Sequence, residues 1–160
     1  DQKVLLAGGG CGVAPMLYLA RKLKEAGADC HVAIGGKTSA DILTADAYSK
    51  LAQVAILTED GSAGDKGMIT AHPWFDADLK TFSKVYVCGP DPMMKAIGQL
   101  ATDAGVYCEV SLENLMTCGI GSCLCCTVST IEGNVRACME GPVFDVTQLK
   151  DWTHNPVCHG

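Results

Sequence analysis

Four cysteines crowd into the nine residues from Cys118 to Cys126 of the segment "SLENLMTCGIGSCLCCTV" (residues 111–128), and another, Cys138, follows closely. Cys118, Cys123 and Cys126 fall in the spacing C-x4-C-x2-C, with Cys138 as the distant fourth, which is the plant-type pattern for a [2Fe–2S] cluster. The spacing has a physical reason. Two irons bridged by two sulfides need converging thiolates, and a tight loop can supply three while a returning strand supplies the last. Gly119 and Gly121 let such a loop curl and aim N–H groups at sulfur, which stabilises the more negative, reduced state. Cys125 should point away from its neighbour Cys126 and is read as a bystander thiol. Two other readings compete. Structural zinc commonly uses two C-x2-C knuckles; only Cys123–Cys126 makes one, so His154, Cys158 and His159 in the tail would have to complete the site. A disulfide set conflicts with the α/β pattern described below, which supplies a core that needs no staples.

A second candidate site lies at the other end of the chain. "AGGGCGVAP" (residues 7–15) follows an apolar run and opens a helical pattern. This is the context of a phosphate-binding loop, in which backbone N–H groups and the positive helix end face an anion and no Cβ blocks its approach. A tight strand-to-helix turn would leave the same trace. Two further glycine loops, "TEDGS" (58–62) and "CGPDPMM" (88–94), also follow strands, and three such loops at one sheet edge make a groove.

Apolar runs and helical patterns alternate along the chain. Strands are expected at residues 4–7, 31–34, 54–57, 84–88 and 106–110. Helices are expected at 15–26, at about 40–51 and at 92–104, with Pro15 in a first turn, Asp91 as a cap and Gly27 and Gly105 as stops. Strands alternating with helices imply an α/β fold: a doubly wound, five-stranded parallel sheet that binds ligands at the carboxyl ends of its strands. From Leu112 the style changes. Residues 126–145 read as two short strands turning at Gly133–Asn134, a small C-terminal β appendage. The expected division is a nucleotide-binding domain at 1–111 and a cluster-binding domain at 112–160.

The bulk properties fit this picture. The chain has 160 residues, 48% of them apolar and 19% charged, with no apolar run near the length needed to span a bilayer. Its formal charge of −6 argues against a nucleic-acid partner. Ten cysteines without a secretory signal, several of them (Cys30, Cys88, Cys108) in apolar runs, indicate a reducing compartment, the cytoplasm. The first residue is not Met, and the expectation is a piece of a longer subunit.

The three glycine loops together resemble the pyridine-nucleotide half of the ferredoxin reductase superfamily, whose first loop ends in proline. The resemblance implies that Gly8, Gly9, Gly10, Gly12 and Pro15 lie along a pyrophosphate. It also implies that Thr58, Asp60 and Gly61, with Cys88, Gly89 and Pro90, flank the nicotinamide. The coenzyme is read as NAD, because only Lys37 in "GGKTSAD" is available to meet a 2′-phosphate. "SLENLMTCGIGSCLCCTV" followed by "VRACMEGPVFD" further resembles the electron-transfer subunit of NAD-linked (type B) dihydroorotate dehydrogenase, and the likeness runs from about residue 4 to 149. That family implies electron flow from NADH through FAD and the [2Fe–2S] cluster of Cys118, Cys123, Cys126 and Cys138. The acceptor is the FMN of a catalytic partner subunit in pyrimidine biosynthesis, within a hetero-oligomer. It also holds FAD mainly on a β-barrel ahead of the nucleotide module, and residues 1–3 cannot supply one. The alternative is a related ferredoxin reductase-type flavoprotein subunit that delivers electrons to ferredoxin or another redox partner.

Overall fold

The computed structural model describes residues 2–150. Strand β1 (Lys3–Gly9) runs up the middle of the sheet with every residue after Lys3 buried. Its side chains alternate between two cores. Val4 and Leu6 pack with Val13, Met16, Ala20 and Tyr48 on one face. Leu5 and Ala7 pack with Phe75, Leu79, Met94 and Ile97 on the other. A strand covered on both faces is apolar at consecutive positions, and this is why β1 reads as an unbroken run.

Around β1 stand β2 (Asp29–Gly36), β3 (Gln53–Thr58), β4 (Asp65–Lys66), β5 (Lys84–Cys88) and β6 (Tyr107–Ser111). The sheet has seven strands rather than five, in the order β4-β3-β2-β1-β5-β6-β9, where β9 is Val143–Asp145. Six are parallel, and β9 runs antiparallel to β6 through Ser111↔Val143 and Val110↔Phe144. The chain leaves β1 for β2 on one side and later returns to place β5 on the other. The order therefore reverses between β1 and β5, and a crevice opens at their carboxyl ends.

Helix α1 (Val13–Glu25) covers one face, and Gly27 in the left-handed region (φ +85°) stops it. Helix α3 (Asp91–Ala104) covers the other and ends at Gly105. Asp91 sits within its first turn, with Pro90 outside as the cap and no side-chain capping bond. The helix expected at about 40–51 is reduced to α2 (Ala45–Ser49). Thr38 and Asp41 spend their capping box on a single 3-10 turn, and Thr44 at φ +62° separates that turn from α2. Between β4 and β5 there is no α-helix. Three 3-10 turns bury Ile69, Phe75 and Leu79 against the α3 face.

The last segment is a β7–β8 hairpin (Thr127–Thr130, Gly133–Arg136), the short turn α4 (Ala137–Glu140) and β9. Thr130 pairs with Gly133, so the hairpin turns at Ile131–Glu132, two residues before the expected position. Val128, Ala137, Phe144 and Leu149 join the same buried cluster as α3.

Candidate nucleotide cleft and cysteine site

At the crevice, Gly9 ends β1 and Gly10–Gly12 form a 3-10 turn into α1. Gly12 lies against the backbone that follows β5. A Cβ there would come 2.2 Å from Cys88 O and 2.6 Å from Gly89 N, so only glycine permits this approach. The first and third glycine loops are thus one packed unit. Gly8 backs onto Val13, and Gly9 onto Met93 and Pro90.

Two clefts open on either side of this unit. The larger, about 410 Å³, is lined by Gly9, Gly10 and Pro90 of the expected set, and by Gly35, Gly36, Lys37, Asp41, Glu59, Met68, Ile69 and Met93 among others. The smaller, about 320 Å³, brings Gly12, Pro15 and Cys88 together with Ser111, Glu113, Asn114 and Met116 at the start of the cysteine segment. Burial pushes the Cys88 thiol up from its ordinary range, and Glu113 adds to the effect.

Thr58, Asp60 and Gly61, expected at the nicotinamide, line neither cleft; they brace the loop that carries Glu59 into the larger one. The Thr58 hydroxyl is fully buried, donates to Ala63 O (2.7 Å) and accepts from Ala63 N (3.0 Å). Asp60 accepts from the hydroxyl (2.6 Å) and N–H (2.9 Å) of Ser62, which hold its carboxyl below the usual range. Glu59 N–H donates to Gly36 O, and Ser39 N–H donates to the Ser62 hydroxyl, so the loops after β2 and β3 are laced together. That lacing delivers Glu59 beside Lys37 and Asp41. The Asp41 carboxylate is fixed by the Lys37 and Thr38 N–H groups at 3.0 and 2.9 Å. Asp41 and Glu59 were missed from the sequence, although an acid after the second strand is a recognised ribose signal.

The cysteine segment makes the turn its glycines permit. Gly119 and Gly121 sit at φ +67° and +78°, and the N–H groups of Ile120 and Cys123 both reach Cys118 Sγ at 3.5 Å. Those donors, Cys123 first, pull the Cys118 thiol down to about 6, which favours the thiolate that binds metal. Cys126 is 2% exposed and Cys138 half-buried. The Cys138 N–H and thiol both donate to Cys126 and pull it down, while Cys138 is pushed up by supplying that proton. Cys118 adds a coulombic influence on both, so the loop thiol shares one neighbourhood with Cys126, just before β7, and with Cys138, which sits in the short turn α4 after β8 rather than on the returning strand expected from the sequence. Among the described residues no three His, Cys, Asp or Glu side chains gather as they would around a single ion. A binuclear cluster shared by four thiolates needs two on each iron. The donor set, its N–H-lined loop and its lowered thiol fit that group. Cys125 is exposed, and its thiol makes only a long 3.8 Å contact to Cys123 O. His154, Cys158 and His159 lie outside the described residues. Cys30 and Cys108 are buried free thiols, Cys108 pushed up to about 12 by desolvation, in keeping with small hydrophobic side chains.

Residues 6–99 match the family model of the oxidoreductase NAD-binding domain. The chain belongs to that family. Residues 113–150 match the iron–sulfur cluster binding domain of dihydroorotate dehydrogenase B, which places a second match on the cysteine segment. Curated relatives named as the electron transfer subunit of dihydroorotate dehydrogenase B (NAD(+)) are similar along most of the chain. The protein of Caldanaerobacter subterraneus subsp. tengcongensis is 39% identical over 147 residues, 89% of this chain and 57% of that protein. The protein of Clostridium acetobutylicum is 41% identical over 148 residues, 92% of this chain and 57% of that protein. The NAD-binding chain therefore spans little more than half the length of the relatives it matches. Among solved structures, an NADH-dependent reduced ferredoxin–NADP oxidoreductase studied for flavin-based electron bifurcation superposes with a TM-score of 0.84 at 31% identity. It covers 96% of this chain and 55% of that one.

Proposed function

We propose that this chain is the nucleotide- and cluster-binding part of the electron-transfer subunit of an NAD-linked dihydroorotate dehydrogenase. Electrons pass between NAD(H) and the FMN of a catalytic partner in pyrimidine biosynthesis, by way of FAD and a [2Fe–2S] cluster, and a partner that oxidises dihydroorotate sends them toward NAD+. The observation that carries this reading is the position of the smaller cleft. Cys88 and Gly12 of the nucleotide loops line it, and so does Met116, two residues before Cys118. The nucleotide end and the thiol end share one wall.

A bound flavin would convert the two-electron donor NADH to the one-electron traffic of an iron–sulfur cluster. The chain's own residues do the positioning. Gly9, Gly10 and Gly12 would let backbone N–H groups approach the pyrophosphate, and the segment Cys88, Gly89 and Pro90, whose Cys88 lines the smaller cleft and Pro90 the larger, would flank the nicotinamide. Thr58, Asp60 and Gly61 brace the loop that carries Glu59 into the larger cleft, and Pro15 lines the smaller one. Cys118, Cys123, Cys126 and Cys138 would hold the cluster. The negative net charge fits no nucleic-acid role, and among the described residues no helix is long and apolar enough to cross a membrane. The reduced thiols fit the cytoplasm, and the subunit would work in a hetero-oligomer.

The acids at the larger cleft bear on coenzyme choice. Asp41 and Glu59 face the position after β2 where an adenosine ribose sits, and their charges oppose a 2′-phosphate more than Lys37 attracts it. The double change Asp41→Ser with Glu59→Gln is expected to narrow the preference for NADH over NADPH by about tenfold or more, since removing close like charges is worth over 1.4 kcal/mol. Titration of both coenzymes checks it. An unchanged ratio would remove these acids from the ribose site.

Mixing the flavin-loaded, full-length subunit with an FMN-containing dihydroorotate-oxidising subunit tests the function. Dihydroorotate-dependent reduction of NAD+ is expected. A second reading, delivery to ferredoxin, is favoured by the 31% identity to the ferredoxin–NADP oxidoreductase. Ferredoxin reduction by NADH without any coupling to dihydroorotate would select it.

A further inference from the structure

Arg136 occupies an unusual position. It is the sole Lys or Arg in residues 96–149, a stretch that also carries Asp103, Glu109, Glu113, Glu132, Glu140 and Asp145. In space this cation lies beside the thiols of Cys126 and Cys138. Arg136 ends β8 two residues before Cys138 and reaches across to the cysteine loop. Its Nη1 donates to Gly121 O (3.4 Å), within the turn between Cys118 and Cys123. Its Nη2 donates to Glu140 Oε1 (2.8 Å), and its backbone N–H donates to Glu140 Oε2 (2.7 Å), so one carboxylate fixes both ends of the residue. The guanidinium lies close against the loop: a Cβ added at Gly121 would come within 3.1 Å of Nη1. The next residue is tied as well, since Ala137 N–H donates to Cys126 O at 2.9 Å. The guanidinium interacts electrostatically with the thiols of Cys138 and Cys126.

We propose that Arg136 is a positioning and charge-tuning residue of the cysteine site: its guanidinium ties the loop of Cys118 and Cys123 to the strand that delivers Cys138, and its positive charge raises the reduction potential of a cluster held there. This rests on the reading of the four cysteines as cluster ligands. One-electron reduction adds negative charge to an already anionic group, so a nearby cation stabilises the reduced form over the oxidised one. The planar fork accounts for the tie. Gly121 O and Glu140 are contacted by different nitrogens of one rigid group, a geometry that lysine cannot copy. Glu140 has two opposed effects, holding the arginine in place while offsetting part of its charge.

The two roles separate by substitution in the cluster-loaded chain. The midpoint potential is read by an electron paramagnetic resonance redox titration, and the hold on the cluster by the rate at which a chelator bleaches the visible spectrum. Arg136→Met is expected to lower the potential and to bleach several-fold faster. Arg136→Lys should keep the potential near that of the parent while bleaching faster, because it retains the charge and loses the tie. Glu140→Gln should raise the potential. Added salt should shrink both potential shifts, since these side chains are partly exposed. Potentials of Arg136→Met and Glu140→Gln that match the parent overturn the proposal. If Arg136→Met assembles no cluster, a Glu140→Gln potential that stays put or falls overturns it. A parent chain that contains no iron and sulfide would instead overturn the four-cysteine reading itself, so the two failures are distinguishable.

Discussion

Cys123→Ser is expected to abolish the visible chromophore of the iron-loaded protein while leaving the α/β core folded. Cys123 is exposed and belongs to neither buried cluster, and its N–H, which the substitution keeps, already serves Cys118 Sγ. A serine oxygen is a poor substitute for thiolate on iron, so the loss should be near complete, whereas a surface change of one atom should scarcely move the melting temperature. Cys126 would be a worse choice, because it is 2% exposed and a buried hydroxyl there would disturb packing as well as ligation. The paired control is Cys125→Ser, expected to spare both colour and fold, as that thiol touches only the Cys123 carbonyl at 3.8 Å. Visible spectra and thermal melts of the two variants check this. Bleaching by the Cys125 change would put Cys125 among the ligands.

The second large effect is expected at Gly12. Alanine there drives a methyl group into Cys88 O at 2.2 Å and Gly89 N at 2.6 Å, and both are backbone atoms that no rotamer change can move. β1 and β5 would have to part at their carboxyl ends, where the crevice lies. Overpacking of this kind costs about 1–3 kcal/mol or more. A fall in melting temperature should accompany at least about a tenfold loss of NADH affinity, the equivalent of 1.4 kcal/mol lost from the bound state. Gly10→Ala is the contrast. Nothing lies within 4 Å of its added methyl, and the cost is confined to its left-handed backbone (φ +54°), about 1–2 kcal/mol. Gly12→Ala protein that melts and binds like the parent would mean that the two glycine loops are not packed together.

Much of the core was legible because doubly covered strands are continuous apolar runs. "KVYVC" is β5 without adjustment, and β1 was short only by its polar start and glycine end. What was illegible depends on non-local partners. β9 has three residues and is a strand only because β6 offers it an edge, and β4 has two exposed residues beside β3. Thr44 broke a plausible helix through a left-handed backbone that its residue type does not announce. At the hairpin, Gly133–Asn134 has turn chemistry, yet Gly133 takes its positive φ (+125°) as the first residue of β8. The glycine loops were visible by residue type, while Asp41 and Glu59 came to the cleft through hydrogen bonds between two loops, which spacing does not encode.

The central claim is that the four thiols hold a binuclear iron–sulfur cluster. Iron, zinc and acid-labile sulfide analysis of the anaerobically purified protein, with its visible spectrum, tests it most directly. The account predicts about two irons and two sulfides per chain, with broad visible absorption that bleaches on reduction. One zinc per chain in a colourless protein would contradict it.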